Sequence, residues 1–269
     1  MLLKNYLKEI SLLKLYIISI ILIITFSYSI YIFCSDAVIM EIRKEDSFFE
    51  WITAILFLFA SVLCFATFKR NKNIFVLGLA LMFFMGMGEE ISWGQRIIGF
   101  ATPEEFKTVN VQNETNIHNL EIFNDKYLSG VKKTGLQRLM EINILFRMFS
   151  VSFLILLPLI IYQLKFQEKI NKKLRLPIAP LTMGIFFLIS WCIFYSTKYF
   201  LLPRGKDLGI YLSVGEVFEC TAAYVYFTVA LYFYNTKDDS YLGANAIQAT
   251  VDLNHEVLLP QIKIASQSN

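Results

Sequence analysis

The sequence predicts an all-α polytopic integral membrane protein: a bundle of about six transmembrane helices, with a long extracytoplasmic loop between helices 3 and 4. Three observations point there. The chain is 56% hydrophobic with a mean hydropathy of +0.52, above the apolar share of about 45–50% usual in soluble domains. Its apolar residues fall in separate runs of roughly 20 residues, long enough to span a hydrocarbon core of about 30 Å. Lys and Arg gather in alternate connections between those runs, the arrangement that orients membrane helices.

The runs lie at 15–34, 49–68, 74–92, 144–164, 178–200 and 212–234. The first follows Lys4, Lys8 and Lys14, as a signal peptide would, but it is too long for a cleaved signal and no small-x-small site follows. It is expected to remain as an anchor. Cys34 ends it behind a bulky Phe33, unlike a lipoprotein cysteine, and Cys64, Cys192 and Cys220 lie within later runs, so no disulfide framework is implied. The second run is opened by Ser47-Phe48-Phe49-Glu50, which fits a capping box. The third carries no charge from Ile74 to Gly88 and then closes on Glu89-Glu90. The sixth is opened by Ser213-Val214-Gly215-Glu216, a second capping-box pattern. Residues 1–234 thus form one membrane domain with its outer loop at 99–141, and 235–269 a polar cytoplasmic tail containing His255.

The net charge of +3 says little, whereas its placement orients the chain. Basic residues precede the first run, join the second to the third (Lys69, Arg70, Lys72) and join the fourth to the fifth (Lys165, Lys169, Lys172, Lys173, Arg175). Both termini are therefore expected in the cytoplasm of a bacterial inner membrane, with the 99–141 loop outside. These basic residues lie beside spans, where they face anionic lipid, so membrane lipid is an expected partner and nucleic acid is excluded.

The outer loop is long enough to carry structure or function of its own. Thr102-Pro103-Glu104-Glu105 reads as a short helix with Thr102 as its cap. From Asn110 to His118, Asn110, Gln112, Glu114, Asn116 and His118 alternate with Val111, Asn113, Thr115 and Ile117, which predicts an extended segment, although Glu114 and His118 are also spaced for a helix. Residues 126–138 read as a basic amphipathic helix on the membrane surface.

This orientation collects Glu50, Glu89, Glu90, Glu216 and Glu219 at the outer boundary, with His118 on the same side and Arg96, Arg147 and Lys198 at similar depth. A carboxylate at membrane depth costs roughly 2.5 to 3.5 kcal/mol on insertion scales, so it usually faces a cavity or a protein interior. Glu50 and Glu216 have capping as an alternative role. Glu89 and Glu90 lie at a helix C-terminal end, where the dipole disfavours negative charge, so capping does not explain them. Trp93, Tyr195, Tyr199 and Tyr211 are most simply interfacial anchors.

Glu50-Trp51 opening a span, Gly-Glu-Glu-Ile-Ser-Trp-Gly-Gln at 88–95 and Asn-x-Gln-x-Glu-x-Asn-x-His-Asn at 110–119 together resemble an uncharacterised family of bacterial multi-span membrane proteins. That resemblance covers roughly residues 45–120 and implies no known activity. The Glu-Glu pair is also similar to that of the intramembrane CAAX-type proteases, but here five residues rather than three separate Glu90 from Arg96, and no histidine lies within a predicted span.

The leading expectation is a hydrolase or transferase acting on a lipid-linked or membrane-delivered substrate. Paired carboxylates can divide acid and base roles. Glu89, Glu90, His118, Glu216 and Glu219 are the catalytic candidates, and Glu50, Gln95, Arg96, Gln112, Asn116 and Lys198 would bind substrate, with Arg96 or Lys198 suited to phosphate. A divalent metal fits an oxygen-rich site with one histidine, and Glu89, His118 and Glu219 are the ligands it would use. An ion-coupled transporter and a non-catalytic subunit of an envelope or glycan-export assembly are the alternatives.

Overall fold

The computed structural model describes residues 2–44, 47–163, 175–201 and 207–236. The tail beyond Thr236, including His255, and Lys165, Lys169, Lys172 and Lys173 lie outside them. The described residues form an all-α bundle. Its long elements are α1 (Leu2–Phe33), α3 (Phe48–Asn71), α4 (Ile74–Glu90), a rod made of α7 (Ile142–Val151), a π turn (Ser152–Leu156) and α8 (Leu157–Gln163), then α9 (Leu181–Ser196) and α10 (Leu208–Asn235). Three short helices interrupt the connections: α2 (Asp36–Ile42), α5 (Gln95–Ile98) and α6 (Glu104–Lys107).

Five segments are long and apolar enough to cross a membrane: Leu12–Phe33, Phe48–Asn71, Ile142–Ile161, Leu181–Tyr199 and Leu208–Asn235. The expected third span is α4, whose 17 residues sit at the lower end of the roughly 17–25 that suffice. It packs lengthwise along α3. Ser47 caps α3 as its sequence pattern predicts, its Oγ accepting from the Glu50 N–H at 3.3 Å. The second capping box does not form. α10 begins at Leu208 behind Asp207, so Ser213 is already helical and its hydroxyl donates to the Ile210 carbonyl. Glu216 and Glu219 therefore lie about 12 and 16 Å along the helix from its start, deeper than a cap would place them.

α10 is the central helix, with 67% of its apolar window buried against 28% for Ile142–Ile161. Ala222, Ala223 and Ala230 on α10 and Ala60 on α3 are fully buried. Side chains this small let backbones approach, which is how helices gain contact in lipid. Buried hydroxyls join the helices across the core: Ser150 with Tyr226 at 2.6 Å, Ser190 with Thr221 at 2.6 Å and Tyr31 with Ser213 at 3.0 Å. At the other end of the bundle, Arg70 donates to the carbonyls of Phe233, Tyr234 and Thr236, satisfying the C-terminal turn of α10. Ile18, Leu22, Phe26, Ile55, Phe59 and Val62 are exposed at helical spacing, the lipid-facing sides of α1 and α3.

The loop departs from three expectations. Pro103, not Thr102, precedes α6, because the Thr102 side chain turns inward. Residues 126–138 form no amphipathic helix: an antiparallel bridge pairs Lys126 with Lys132, and only Gly135–Met140 winds into a 3-10 turn. Lys133 is buried there, donating to the carbonyls of Glu121 and Ile122. Residues 110–120 are not extended. They close into a compact loop through an isolated Asn110–Leu120 bridge, because asparagine side chains supply turn contacts that a strand would have taken from a neighbouring backbone.

Candidate functional site: a hydrogen-bonded cap beside a carboxylate cluster

The end of α4 is built by its own short motif. Ser92, Trp93 and Gly94 all have positive φ (45°, 55° and 77°), so the chain turns left-handed immediately after the helix. Non-glycine residues pay roughly 1–2 kcal/mol for that conformation, and side-chain contacts offset it here. The Trp93 indole folds back on the helix and donates to Glu89 Oε1 at 2.8 Å. Gly88 leaves the space for it, since a Cβ at that position would come within 2.8 Å of the indole ring. Trp93 is thus held by the protein and is more than an interfacial anchor.

Glu89 is the post to which the loop is tied. Its Oε2 accepts the backbone N–H of Ile117 at 2.6 Å and of His118 at 2.8 Å, and His118 Nδ1 lies 3.4 Å away. Ser92 makes the second attachment. Its hydroxyl donates to Glu114 Oε2 at 3.0 Å and accepts from Asn116 Nδ2 at 3.1 Å. Gln95 makes the third, accepting from the Thr115 N–H and donating to Thr102, whose hydroxyl in turn donates to the Asn113 carbonyl.

Within the loop, Asn110 Oδ1 accepts the backbone N–H groups of Gln112 and Glu114, while its amide donates to Asn116. Asn119 donates to both Gln112 and Glu114. Asn110, Asn116 and Asn119 are buried. Asn110, Glu114 and Asn116 of the period-two pattern thus meet in the loop's own polar centre, joined by Asn119 from outside the pattern, while Gln112 is exposed. Gln95, Gln112 and Asn116, expected to orient substrate, hold the loop together, their amides engaged by neighbouring groups.

Glu90 meets different surroundings. No described residue donates a hydrogen bond to it, and it lies within electrostatic reach of Glu219, Glu216, Glu50 and Glu89. Glu219 is likewise within reach of Glu50, His118 and Arg147. Three helices contribute: α3 brings Glu50, α4 brings Glu90 and α10 brings Glu216 and Glu219. Packing of α3 against both α4 and α10 is what assembles the group, and the loop tied to Glu89 sets His118 at its edge.

Positive charge lies at the same end. The Arg147 guanidinium sits 5.6 Å from the Trp191 ring and 5.7 Å from the Phe194 ring, and Lys198 Nζ is 5.5 Å from Phe194. The side chain of Arg96 is outside the described set. Glu89, His118 and Glu219 do not make a ready ligand set: among the described residues, no three His, Cys, Asp or Glu side chains are placed to hold a metal ion. The reason is visible at Glu89, whose Oε2 faces two backbone donors.

Ser92 and Thr102 escaped sequence reasoning as parts of the site's frame, although small polar residues after an apolar span were their signal; both are buried. No protein-family model matches this chain, and no curated protein or solved structure matches it either.

Proposed function

We propose that the protein is a membrane-embedded acid–base enzyme, a hydrolase or transferase, acting on a lipid-linked or membrane-delivered substrate at the loop end of the bundle. The single observation behind this reading is the group Glu50, Glu90, Glu216 and Glu219, drawn from three helices and edged by His118. Neighbouring carboxylates in a low-dielectric setting share protons rather than all ionise, which supplies an acid and a base within one group. Glu90 and Glu219 take those roles. His118 carries protons between the group and the loop surface, Glu50 and Glu216 set the local charge, and Glu89 is a positioning residue. The positive-inside bias of the alternating basic connections supports the reading that this end lies outside the bacterial inner membrane, with both termini cytoplasmic.

A second reading, an ion-coupled carrier, is favoured by one observation. Buried hydroxyl pairs flank the carboxylates along α10, Ser213 before Glu216 and Thr221 and Tyr226 beyond Glu219, and such groups can pass protons. One comparison separates the two. Lipid extracts of bacteria expressing the wild type, E90Q or E219Q are profiled by mass spectrometry, and purified protein in liposomes is assayed for proton flux. The enzyme reading expects a lipid class that changes with the wild type alone and no flux. Flux that E90Q abolishes, with identical lipid profiles, would replace it with the carrier.

A further inference from the structure

We propose that Arg147 and Lys198 form a binding site for the phosphate of an anionic lipid headgroup, seated on the Phe194 ring beside the carboxylate group. Both cations approach the same ring, at 5.7 and 5.5 Å, and both are half-buried. Two like charges beside one ring repel each other, and neither makes an ion pair with a described carboxylate. A positive side chain that served only as an interfacial anchor would extend to water. Arg147 instead lies back over Trp191 as well as Phe194, with Nη1 donating to the Tyr195 hydroxyl at 3.4 Å.

Local backbone supports the same assignment. Lys198 belongs to a π turn, Thr197–Leu201, a wider turn found frequently at functional sites. Lys132, from the outer loop, lies within electrostatic reach of Lys198. The ligand chemistry follows from the donors: a guanidinium fork takes two oxygens of one phosphate, and an ammonium supplies a point charge to a third. Tyr195 and Tyr199 stack with ring centroids 5.9 Å apart and Tyr199 is 64% exposed, an aromatic face along which the lipid's apolar part lies. Arg147 is within electrostatic reach of Glu219, so a bound headgroup sits next to the acid–base group. Calling that headgroup a substrate rests on the enzyme reading; its binding does not.

Native mass spectrometry of the full-length protein in detergent, titrated with phosphatidic acid, tests the site. One phosphatidic acid should bind per chain ahead of phosphatidylcholine, and affinity should fall about tenfold, about 1.4 kcal/mol, in R147Q and in K198Q. R147K should keep part of that affinity. Displacement by inorganic phosphate would assign the site to phosphate in general, and resistance to displacement would assign it to a lipid headgroup; either supports the shared chemistry. E90Q should bind phosphatidic acid as the wild type does, so loss of lipid turnover in E90Q with binding intact separates the two claims. Circular dichroism confirms folding, and K198Q, at a helix end, decides the matter if R147Q fails to fold. Wild-type binding by folded K198Q, or equal binding of phosphatidylcholine, would overturn the proposal.

Discussion

Glu89 and Glu90 are consecutive residues of one helix with the same side chain, yet they belong to two regions that accommodate a carboxylate in opposite ways. Glu89 faces the loop and is surrounded by donors: two backbone N–H groups, the Trp93 indole and the His118 ring. Glu90 faces the helices and is surrounded by other carboxylates from α3 and α10. The first arrangement fixes a position, because each hydrogen bond to a charged group contributes roughly 1.5–3 kcal/mol and the set has one geometry. The second brings carboxylates of three helices together, the arrangement on which the proposed acid–base roles rest. Adjacent identical residues in a motif therefore need not share a role, and the direction each faces around the helix decides it.

The sharpest break in that comparison is catalytic. E90Q and E219Q should lower turnover of the affected lipid by about 10²–10⁴-fold, the usual range for a lost general acid or base, while the 110–120 loop keeps its resistance to limited proteolysis. Turnover that survives both substitutions would return these carboxylates to structure. A smaller effect is expected inside the loop. N116A removes the donor shared by Ser92 and Glu114 and should destabilise the loop by about 1–3 kcal/mol, read as faster hydrogen exchange over 110–120 with the transmembrane helices unchanged.

G88A acts at the hinge between the two regions. Its Cβ would meet the indole ring at 2.8 Å, so Trp93 must leave the helix and release Glu89 Oε1, at about 1–3 kcal/mol. A red shift in tryptophan emission would report it, and unchanged emission would mean that the ring has another place to pack. The smallest effect on the site should come from R70Q at the far end. It uncaps α10 and lowers the melting temperature, yet leaves phosphatidic acid binding and lipid turnover in place.

Much of the bundle was legible in the sequence because apolar run length is a direct reading of membrane thickness. The ends were less so. Ser47 and Ser213 present the same capping pattern, but only Ser47 caps, since Asp207 has already capped α10, accepting from the Gly209 N–H, and the helix starts at Leu208. The loop differs from the extended reading for a definite physical reason: a period of two in side-chain type does not require a strand, because asparagine-built turns satisfy the backbone locally, as Asn110 does for the N–H groups of Gln112 and Glu114. At the site, the gathering of the carboxylates at one end of the bundle was readable from the order of the spans, whereas which of Glu89 and Glu90 accepts from a backbone 28 residues away was not. That depends on the left-handed turn at 92–94, whose positive φ at Ser92 and Trp93 no propensity would assign.

The division of labour between the two glutamates is tested most directly by amide hydrogen exchange at Ile117 and His118. These two N–H groups end on Glu89 Oε2 and on no other described acceptor. In E89A their exchange should accelerate by about 10–100-fold, the equivalent of roughly 1.5–3 kcal/mol, while in E90A it should stay at the wild-type rate. Equal acceleration in both variants, or acceleration in E90A alone, would contradict the account, because the cap would then depend on the carboxylate group that it is held to stand apart from.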